Sequence, residues 1–341
     1  MSTVKNQPSD FRWELNENGE VVITGLVDKE NATEVVVPAE IDGRPVVAVG
    51  RAAFDNFPKT VSPYPEPIRS SLTSITLPDG IKTIGDKAFY ACRSLTSIAL
   101  PNSLQTIGDC AFAVCDSLTS IAFPDGLQTI GDKAFYACES LTSVAFPDGL
   151  QNIGDEAFGG CRSLTSVALP DGLQSIGETA FLGCFSLTKF TLLSSENTRY
   201  RVVDGVLFSG AGRTLLAYPV GNTRTEYVVP DGVEDIDDYA FAHCQSLTSV
   251  KFPDGLQDIY DAAFAGCTSL TSVKFPDGLR NIYDNAFAAC ASLTSVAFPS
   301  SVQKIGWLAF DRCASGLTFY GAAGSVAEKY AEKNGLRFEA R

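Results

Sequence analysis

The chain has 341 residues, 45% of them hydrophobic, and a formal net charge of -14. A field this negative repels nucleic acid and anionic membrane surfaces, so neither is expected as a general partner. No stretch reaches the roughly 18 consecutive apolar residues of a membrane span. Residues 1–10 also lack the apolar core of a signal peptide. We therefore expect no membrane insertion, and export is either absent or its signal has been removed.

The first predicted elements are two strands between Phe11 and Val27, joined by an Asn18-Gly19 turn. Residues 34–38 and 41–43 follow as a degenerate first copy of a repeat that becomes regular later. Atypical terminal copies cover the open hydrophobic end of a stacked array. Residues 10–70 are therefore predicted to form a β-type N-terminal cap with a Pro-rich loop.

The Pro-rich loop occupies residues 58–70 of this cap. It contains Pro58, Pro63, Pro65 and Pro67, which favour a stiff extended backbone. Two interpretations stay open, a solvated surface loop and an arm that contacts a ligand.

A 23-residue unit then repeats through residues 71–192 and again through 226–313, as in SLTSIAFPDGLQTIGDKAFYACE at residues 117–139. Alternating apolar residues at its start predict a short strand, and Pro124-Asp125-Gly126 predicts the turn that ends it. Asp132 precedes Lys133-Ala134-Phe135 as an N-cap would precede one helical turn. One unit cannot bury its own apolar residues, so neighbouring copies must stack. The sequence predicts an α/β repeat solenoid with a parallel sheet on one side and short helical turns on the other.

The repeat L-T-S-[IV]-x-[LF]-P-D-G-L-x-x-I-G-D-x-A-F-x-x-C covers residues 72–187 without a break and residues 247–313 again. It resembles the leucine-rich repeat family, and more narrowly the BspA-like branch of bacteria and protists. The resemblance implies a right-handed superhelix whose parallel sheet is concave and whose helical turns are convex. It also implies a non-catalytic binding scaffold, often at a cell surface and often in adhesion or host contact. A surface or secreted location is expected from this resemblance, with the cytoplasm as the alternative.

The repeat is interrupted at residues 193–225, where alternating segments joined by tight turns predict strands at 200–203, 206–208 and 214–218. This looks like the β-hairpin insertion that BspA-like chains carry between repeat blocks. We expect one continuous domain over residues 1–341 rather than two domains. Residues 314–341 form the predicted C-terminal cap, with a helix after Ser325 that stops at Asn334-Gly335.

The sequence contains few residues or motifs that indicate catalysis. The only histidine, His243, lies beside Cys244 but has no accompanying base or orienting group in a recognisable motif. No phosphate-binding loop, zinc-binding helix or nucleophile elbow occurs. We predict no enzyme activity, no cofactor and no metal.

Nine of the ten cysteines share one repeat position. Stacked copies would place them about 4.8 Å apart with parallel side chains, farther than the roughly 3.8 Å between Cβ atoms in a disulfide. Buried, reduced thiols are the favoured interpretation, with some disulfide or a metal ladder as alternatives. Unpaired thiols also favour a reducing compartment or anaerobic surroundings. Cys110 lies at a polar position instead and is the candidate reactive thiol.

An acidic residue also recurs before each predicted helical turn. Calcium binding is conceivable, but a capping role explains these residues without the Gly-rich nonapeptide of calcium-binding repeats. The positions are Asp86, Asp109, Asp132, Asp155, Glu178, Asp238, Asp261 and Asp284.

The outward strand positions of the early copies are small, as at Ser120 and Ala122, and offer no anchor for a partner. Later copies and the hairpin carry larger groups, which are the candidate binding residues: Lys189, Lys251, Lys274, Arg199, Tyr200, Arg201, Arg213, Tyr260 and Tyr283. Their charge would attract an acidic protein to an otherwise acidic chain. Drift among tolerant surface positions is the alternative explanation.

The sequence thus predicts a non-enzymatic protein-binding scaffold of the adhesion or host-interaction kind. A structural or self-associating module and a carbohydrate-binding surface are the alternatives, and the oligomeric state stays open.

Overall fold

A computed structural model describes residues 6–28, 32–55, 71–194 and 197–341. The chain forms two compact units: the first comprises residues 1–186 and 192–195, and the second comprises residues 187–191 and 196–341. The predicted Pro-rich loop at residues 58–70 lies outside the described residues. That the whole chain is one continuous domain stays a prediction.

The first unit begins with a 3-10 turn at Pro8–Asp10 and an antiparallel strand pair, which confirms the predicted hairpin around Asn18-Gly19. A second hairpin turns at Asp42 and Gly43, both with positive φ. The strands of this region are β1 Phe11–Leu15, β2 Val21–Leu26, β3 Glu34–Val36, β4 Glu40–Ile41 and β5 Arg44–Val49.

Each regular copy contributes two short strands. The second strands form one parallel ladder in each unit, whereas the first strands pair in separate sheets of two to four strands. We call the row of first strands, which includes Ser120–Ala122, the first ladder and the row of second strands, which includes Thr129–Ile130, the second ladder. The strands are β6 Ser74–Thr76, β7 Thr83–Ile84, β8 Ser97–Ala99, β9 Thr106–Ile107, β10 Ser120–Ala122, β11 Thr129–Ile130, β12 Ser143–Ala145, β13 Asn152–Ile153, β14 Ser166–Leu169, β15 Ser175–Ile176 and β16 Lys189–Leu192. In the first unit the second ladder continues the N-terminal sheet in the order β1-β2-β5-β7-β9-β11-β13-β15.

The second unit starts with the predicted insertion, an antiparallel meander of three strands. Its last strand pairs in parallel with the second ladder of the following copy. The elements are β17 Tyr200–Val203, β18 Val206–Ser209, β19 Thr214–Ala217, β20 Glu226–Val228, β21 Asp235–Ile236, β22 Ser249–Lys251, β23 Asp258–Ile259, β24 Ser272–Lys274, β25 Asn281–Ile282, β26 Ser295–Ala297, β27 Lys304–Ile305, β28 Thr318–Gly321, α1 Val326–Asn334 and β29 Arg337–Ala340.

The predicted C-terminal helix is confirmed as α1. The Ser325 hydroxyl accepts a hydrogen bond from the Glu328 amide, and Gly335 ends the helix in the left-handed conformation. The final strand β29, which pairs in parallel with β28, is an element that the sequence analysis missed.

A column of phenylalanines forms the core of each unit. In the first unit Phe135 stacks on Phe112 and Phe158 with ring centroids 5.2 Å away on both sides. In the second unit Phe264 lies between Phe241 and Phe287 at 4.6 and 4.9 Å. Because each ring contacts the copies before and after it, the buried area of one copy depends on its neighbours.

The segment predicted as a helical turn forms a series of hydrogen-bonded turns instead. Lys133 and Ala137, on either side of Ala134-Phe135-Tyr136, both have positive φ, which a right-handed helix does not allow. Alternate amides of this segment leave the copy altogether: Lys133 donates to the Asp155 carbonyl and Phe135 to the Ala157 carbonyl. The turn segment, like the two ladders, is thus joined to the next copy by backbone hydrogen bonds.

The acidic residues do not cap a helix in their own copy, which corrects the predicted role. The aspartate Oδ1 atoms accept a hydrogen bond from the backbone amide of the matching residue one copy later, as between Asp109 and Asp132 at 2.9 Å and between Asp132 and Asp155 at 2.8 Å. The same bond joins Asp261 to Asp284 at 2.9 Å in the second unit. These carboxylates therefore connect successive copies.

Candidate binding surface

The outward side chains of the first ladder in the first unit are small. Ser120, Ala122, Ser143 and Ala145 are exposed, while Ile121 between the first two is buried. The register places serine beside serine and alanine beside alanine in successive copies. This surface is a strip of hydroxyl and methyl groups without a large side chain that could fill a partner's pocket.

The same positions in the second unit carry larger groups. Lys251 lies beside Val228 in the register of the first ladder, and Lys274 follows one copy later. Both lysines are exposed, and Val228 is 63% exposed although it is apolar. Within the described residues neither lysine forms an ion pair. We call Val228, Lys251 and Lys274 the lysine strip.

Lys189 is exposed and lies against the turn of the insertion. A Cβ atom added to Gly205 would lie 3.0 Å from the Cβ atom of Lys189, and the Phe190 amide donates to the Gly205 carbonyl. The structure thus brings Lys189 and the turn of the insertion together.

The insertion presents fewer binding groups than predicted. Tyr200 is buried, with 9% of its surface exposed, because the first residue of β17 points into the unit. Its prediction as an exposed aromatic contact is wrong. Arg199 and Arg201 are exposed, but Arg213 is paired with Glu234 at 3.4 Å, which offsets its charge.

Tyr260 and Tyr283 directly follow the second-ladder strands β23 and β25, so they are not beside the lysines of the first ladder. Their rings stack on each other with centroids 4.9 Å apart and planes 13° apart. The ammonium of Lys304, one copy further on, lies 4.3 Å from the centroid of the Tyr283 ring. The predicted site residues therefore divide into two surfaces of the second unit.

Several exposed groups of the second unit escaped the sequence analysis. Trp307 is 69% exposed and occupies the repeat position that holds an aspartate in earlier copies, so a mismatch to the repeat was the available signal. Arg341 lies over the Tyr320 ring at 3.8 Å, beside a shallow pocket that also includes Ala297 and Ser300. No repeat pattern extends to this C-terminal pair, so no comparable signal marks it in the sequence.

The cysteines are free thiols, as predicted, and eight of the nine ladder members are buried. Cys138 Sγ donates to the Phe112 carbonyl at 3.1 Å and Cys161 Sγ to the Phe135 carbonyl at 3.2 Å, so the thiols satisfy core carbonyls of the preceding copy. Burial raises the pKa of Cys184 to about 12. Cys313 is partly exposed, and so is Cys110, the candidate reactive thiol. Burial raises the pKa of Cys110 above its ordinary value, which lowers its thiolate fraction at neutral pH.

His243 and Cys244 do not form a nucleophile and base. The amide of His243, a residue with positive φ, donates to the Ala265 carbonyl, and the imidazole packs where a Cβ atom on Gly266 would lie. Cys244 is buried, and this burial raises the pKa of its thiol. A buried neutral thiol is a poor nucleophile.

The described part of the chain contains neither a metal-site cluster nor a membrane-spanning helix. No cluster of three or more histidine, cysteine, aspartate or glutamate side chains there has the arrangement of a metal site. Over the same residues, none of the helices combines the length and the apolar character needed to cross a bilayer.

The repeat geometry agrees with one known family. The family model described as the BspA type leucine rich repeat region matches residues 68–188 and 221–327, in six copies. The chain belongs to the BspA-type leucine-rich repeat family. No curated protein matches its sequence.

Solved structures with the same fold come from several bacteria. A leucine rich cell surface protein of Faecalibacterium prausnitzii is 27% identical, with 97% of this chain and 98% of that chain covered and a TM-score of 0.68. The pneumococcal vaccine antigen PcpA is 20% identical, with 100% and 98% covered and a TM-score of 0.75. A leucine-rich repeat protein of Eubacterium ventriosum is 22% identical, with 92% and 77% covered and a TM-score of 0.69. The BspA-type repeat fold predicted from the sequence is thereby confirmed.

Proposed function

We propose that this BspA-type chain is a cell-surface or secreted scaffold that binds an acidic protein without catalysing a reaction, and that the lysine strip is its contact surface. The Faecalibacterium prausnitzii protein of similar fold is described as a cell surface protein, which supports the location. The lysine strip is the observation that carries the proposal.

The electrostatics of the lysine strip favour an anionic partner. Lys251 and Lys274 occupy matching positions on the neighbouring strands β22 and β24, so their ammonium groups repel each other. No described carboxylate pairs with either of them. A carboxylate from a partner would relieve this repulsion, and the chain's net charge of -14 would direct that partner away from the rest of the surface.

The strip also offers apolar contact. Val228 is exposed in the same register position as Lys251, so a partner can cover an apolar side chain while its carboxylates meet the ammonium groups. Recognition surfaces commonly combine such an apolar contact with a charged rim. Neither Ser120 nor Ala122 in the first unit provides either feature.

The proposal is tested with a deca-glutamate peptide that carries an uncharged fluorophore, titrated by fluorescence anisotropy, with deca-glutamine as the neutral control. The double variant Lys251→Glu/Lys274→Glu should weaken deca-glutamate binding by about tenfold or more and flatten its salt dependence.

The matched control is Lys82→Glu/Lys87→Glu, which makes the same change in net charge on exposed lysines of the first unit. It should change the affinity by less than about twofold, since these lysines lie outside the strip. Equal losses in the two double variants would mean that net charge alone governs binding and would contradict the proposal.

A further inference from the structure

The second ladder of the second unit carries an aromatic stack that the lysine strip does not use. In the first unit the residue after the second-ladder strand is glycine, whereas here Tyr260 and Tyr283 occupy that position in successive copies. The two rings lie face to face, so the stack has only two outer faces. One belongs to Tyr283 and the other to Tyr260.

The outer face of Tyr283 is already occupied by a cation. Lys304 Nζ lies 4.3 Å from the centroid of that ring, within the range of a cation–π interaction. Lys304 is in register with Asn281, and Asn281 is in register with Asp258. The contact with the outer face of Tyr283 therefore comes from the next copy along the same ladder.

The outer face of Tyr260 points toward the preceding copy, which supplies carboxylates in place of a lysine. Asp235 is in register with Asp258, and Asp237 occupies the position matching Tyr260. These groups are near enough that burial, followed by the charge of Asp235 and then that of Asp258, raises the pKa of Tyr260. Asp258 accepts a hydrogen bond from the Asn281 amide group at 2.6 Å.

We propose that the outer face of Tyr260, with Asp235 and Asp258 beside it, binds a lysine or arginine side chain of a basic partner segment. The cation would repeat on this face the contact that Lys304 makes on the other. An aromatic face attracts a cation through its quadrupole, and neighbouring carboxylates add direct charge attraction. The proposal concerns a different ladder from the lysine strip and does not depend on the function assigned to that strip.

A cation fits this site better than a sugar. Sugars pack on open ring faces, and the stacking of Tyr260 on Tyr283 covers two of the four faces while Lys304 covers a third. The outer face of Tyr260 adjoins Asp237 at the matching position of the preceding copy, together with Asp235 and Asp258, and a bound cation would reduce the mutual repulsion of these carboxylates.

The test uses capped amino acids whose only charge is on the side chain: N-acetyl-arginine methylamide and N-acetyl-lysine methylamide, with N-acetyl-norleucine methylamide as the neutral control. Ligand-observed NMR titration measures their affinities for the full chain. Both charged probes should bind at least about threefold more tightly than the norleucine probe, and added salt should reduce the difference.

Three variants locate the binding. Tyr260→Gly, which restores the residue found in the first unit, and Asp235→Asn should each weaken arginine-probe binding by about threefold or more, whereas Tyr260→Phe keeps the aromatic face and should retain binding. Tyr136→Gly removes a partly exposed tyrosine of the first unit and should have no effect. The proposal is overturned if the norleucine probe binds equally well, or if Tyr260→Gly and Asp235→Asn leave the arginine probe's affinity unchanged while thermal melts show all variants folded.

Discussion

The two units use one repeat for different surfaces. In the first, the outward groups of the first ladder are Ser120, Ala122 and their counterparts, and the second-ladder strand Thr129–Ile130 is followed by glycine. In the second, the matching positions hold Lys251 and Lys274 on one ladder and the stacked Tyr260 and Tyr283 on the other. The inward phenylalanines and cysteines are the same in both.

This difference separates stability from recognition. Inward residues must fit the copy before and the copy after, so stacking fixes their identity. Outward residues contact only solvent and partners, and the larger outward groups Lys251, Lys274, Tyr260 and Tyr283 lie in the second unit. The two units should therefore respond alike to changes in the core and differently to changes at the surface.

The largest expected effect is alkaline unfolding of both units. Burial raises the pKa values of Cys184 and Cys313 to about 12, and those of Cys115, Cys161, Cys267 and Cys290 also rise. The folded state holds these protons more tightly than the unfolded state, so stability is retained below the unfolded pKa and falls as pH rises toward the folded value. Between roughly pH 8.5 and 10, one thiol of folded pKa about 12 should remove about 2 kcal/mol.

Circular dichroism melts from pH 7 to pH 10, with limited proteolysis to identify the unit that opens, would check this expectation. Raised thiol pKa values occur in both units, so both should lose stability. An unchanged melting temperature up to pH 10 would show that the thiols do not control alkaline stability.

The next effect is the loss of one ring from either phenylalanine column. Phe158→Ala and Phe264→Ala each remove a fully buried ring that stacks on both neighbours. Each should cost about 3 to 5 kcal/mol, measured by urea unfolding. A loss below about 1 kcal/mol at one site, with the full loss at the other, would mean that the two columns are not equivalent.

A smaller effect distinguishes the second ladders. A Cβ atom on Gly131 would lie 2.5 Å from Asp109 Oδ1 and 2.8 Å from the Gly108 carbonyl carbon, whereas Tyr260 is accommodated at the matching position of the second unit. Gly131→Ala should therefore cost about 1 to 3 kcal/mol in urea unfolding. Tyr260→Gly is the matched change and should cost less, since it introduces no clash. Equal tolerance of both changes would remove the steric basis for this difference.

The smallest stability effect concerns the aspartates that join successive copies. Asp132→Ala removes the acceptor for the Asp155 amide, and Asp261→Ala does the same for the Asp284 amide. Both positions are exposed, so each loss should be about 1 kcal/mol. Asp132→Asn keeps an acceptor oxygen and should recover most of it. If Ala and Asn variants are equally stable, the bond contributes nothing measurable.

Much of this architecture could be predicted from the sequence because the same 23-residue pattern of apolar and turn residues recurs in every copy. Leu118 and Ile121, apolar residues of the predicted alternating strand, are buried, and the caps at Asn18-Gly19 and Ser325 carry strong local turn and helix signals. The turns were missed because Lys133 and Ala137 adopt positive φ without being glycine. Their conformation is stabilised by hydrogen bonds to the next copy, which no single copy reveals.

The sequence indicated which residues could bind a partner, but not which of them lie together on one surface. Lys251 and Lys274 follow from strand alternation, and they are exposed as expected. Tyr200 also lies in an alternating segment. Because the insertion has no repeat, the sequence does not show which residues of that segment face inward, and Tyr200 is buried. The contact between Lys304 and Tyr283 depends on side-chain reach between copies, which residue spacing does not specify.

The central claim is that recognition belongs to the second unit, and lysine footprinting tests it most directly. The chain is acetylated briefly with and without the deca-glutamate peptide, and modification at each lysine is quantified by mass spectrometry. We predict protection of Lys251 and Lys274, with Lys82 and Lys87 of the first unit serving as exposed internal controls that stay unchanged. Protection of Lys82 and Lys87 equal to that of Lys251 and Lys274 would contradict the account.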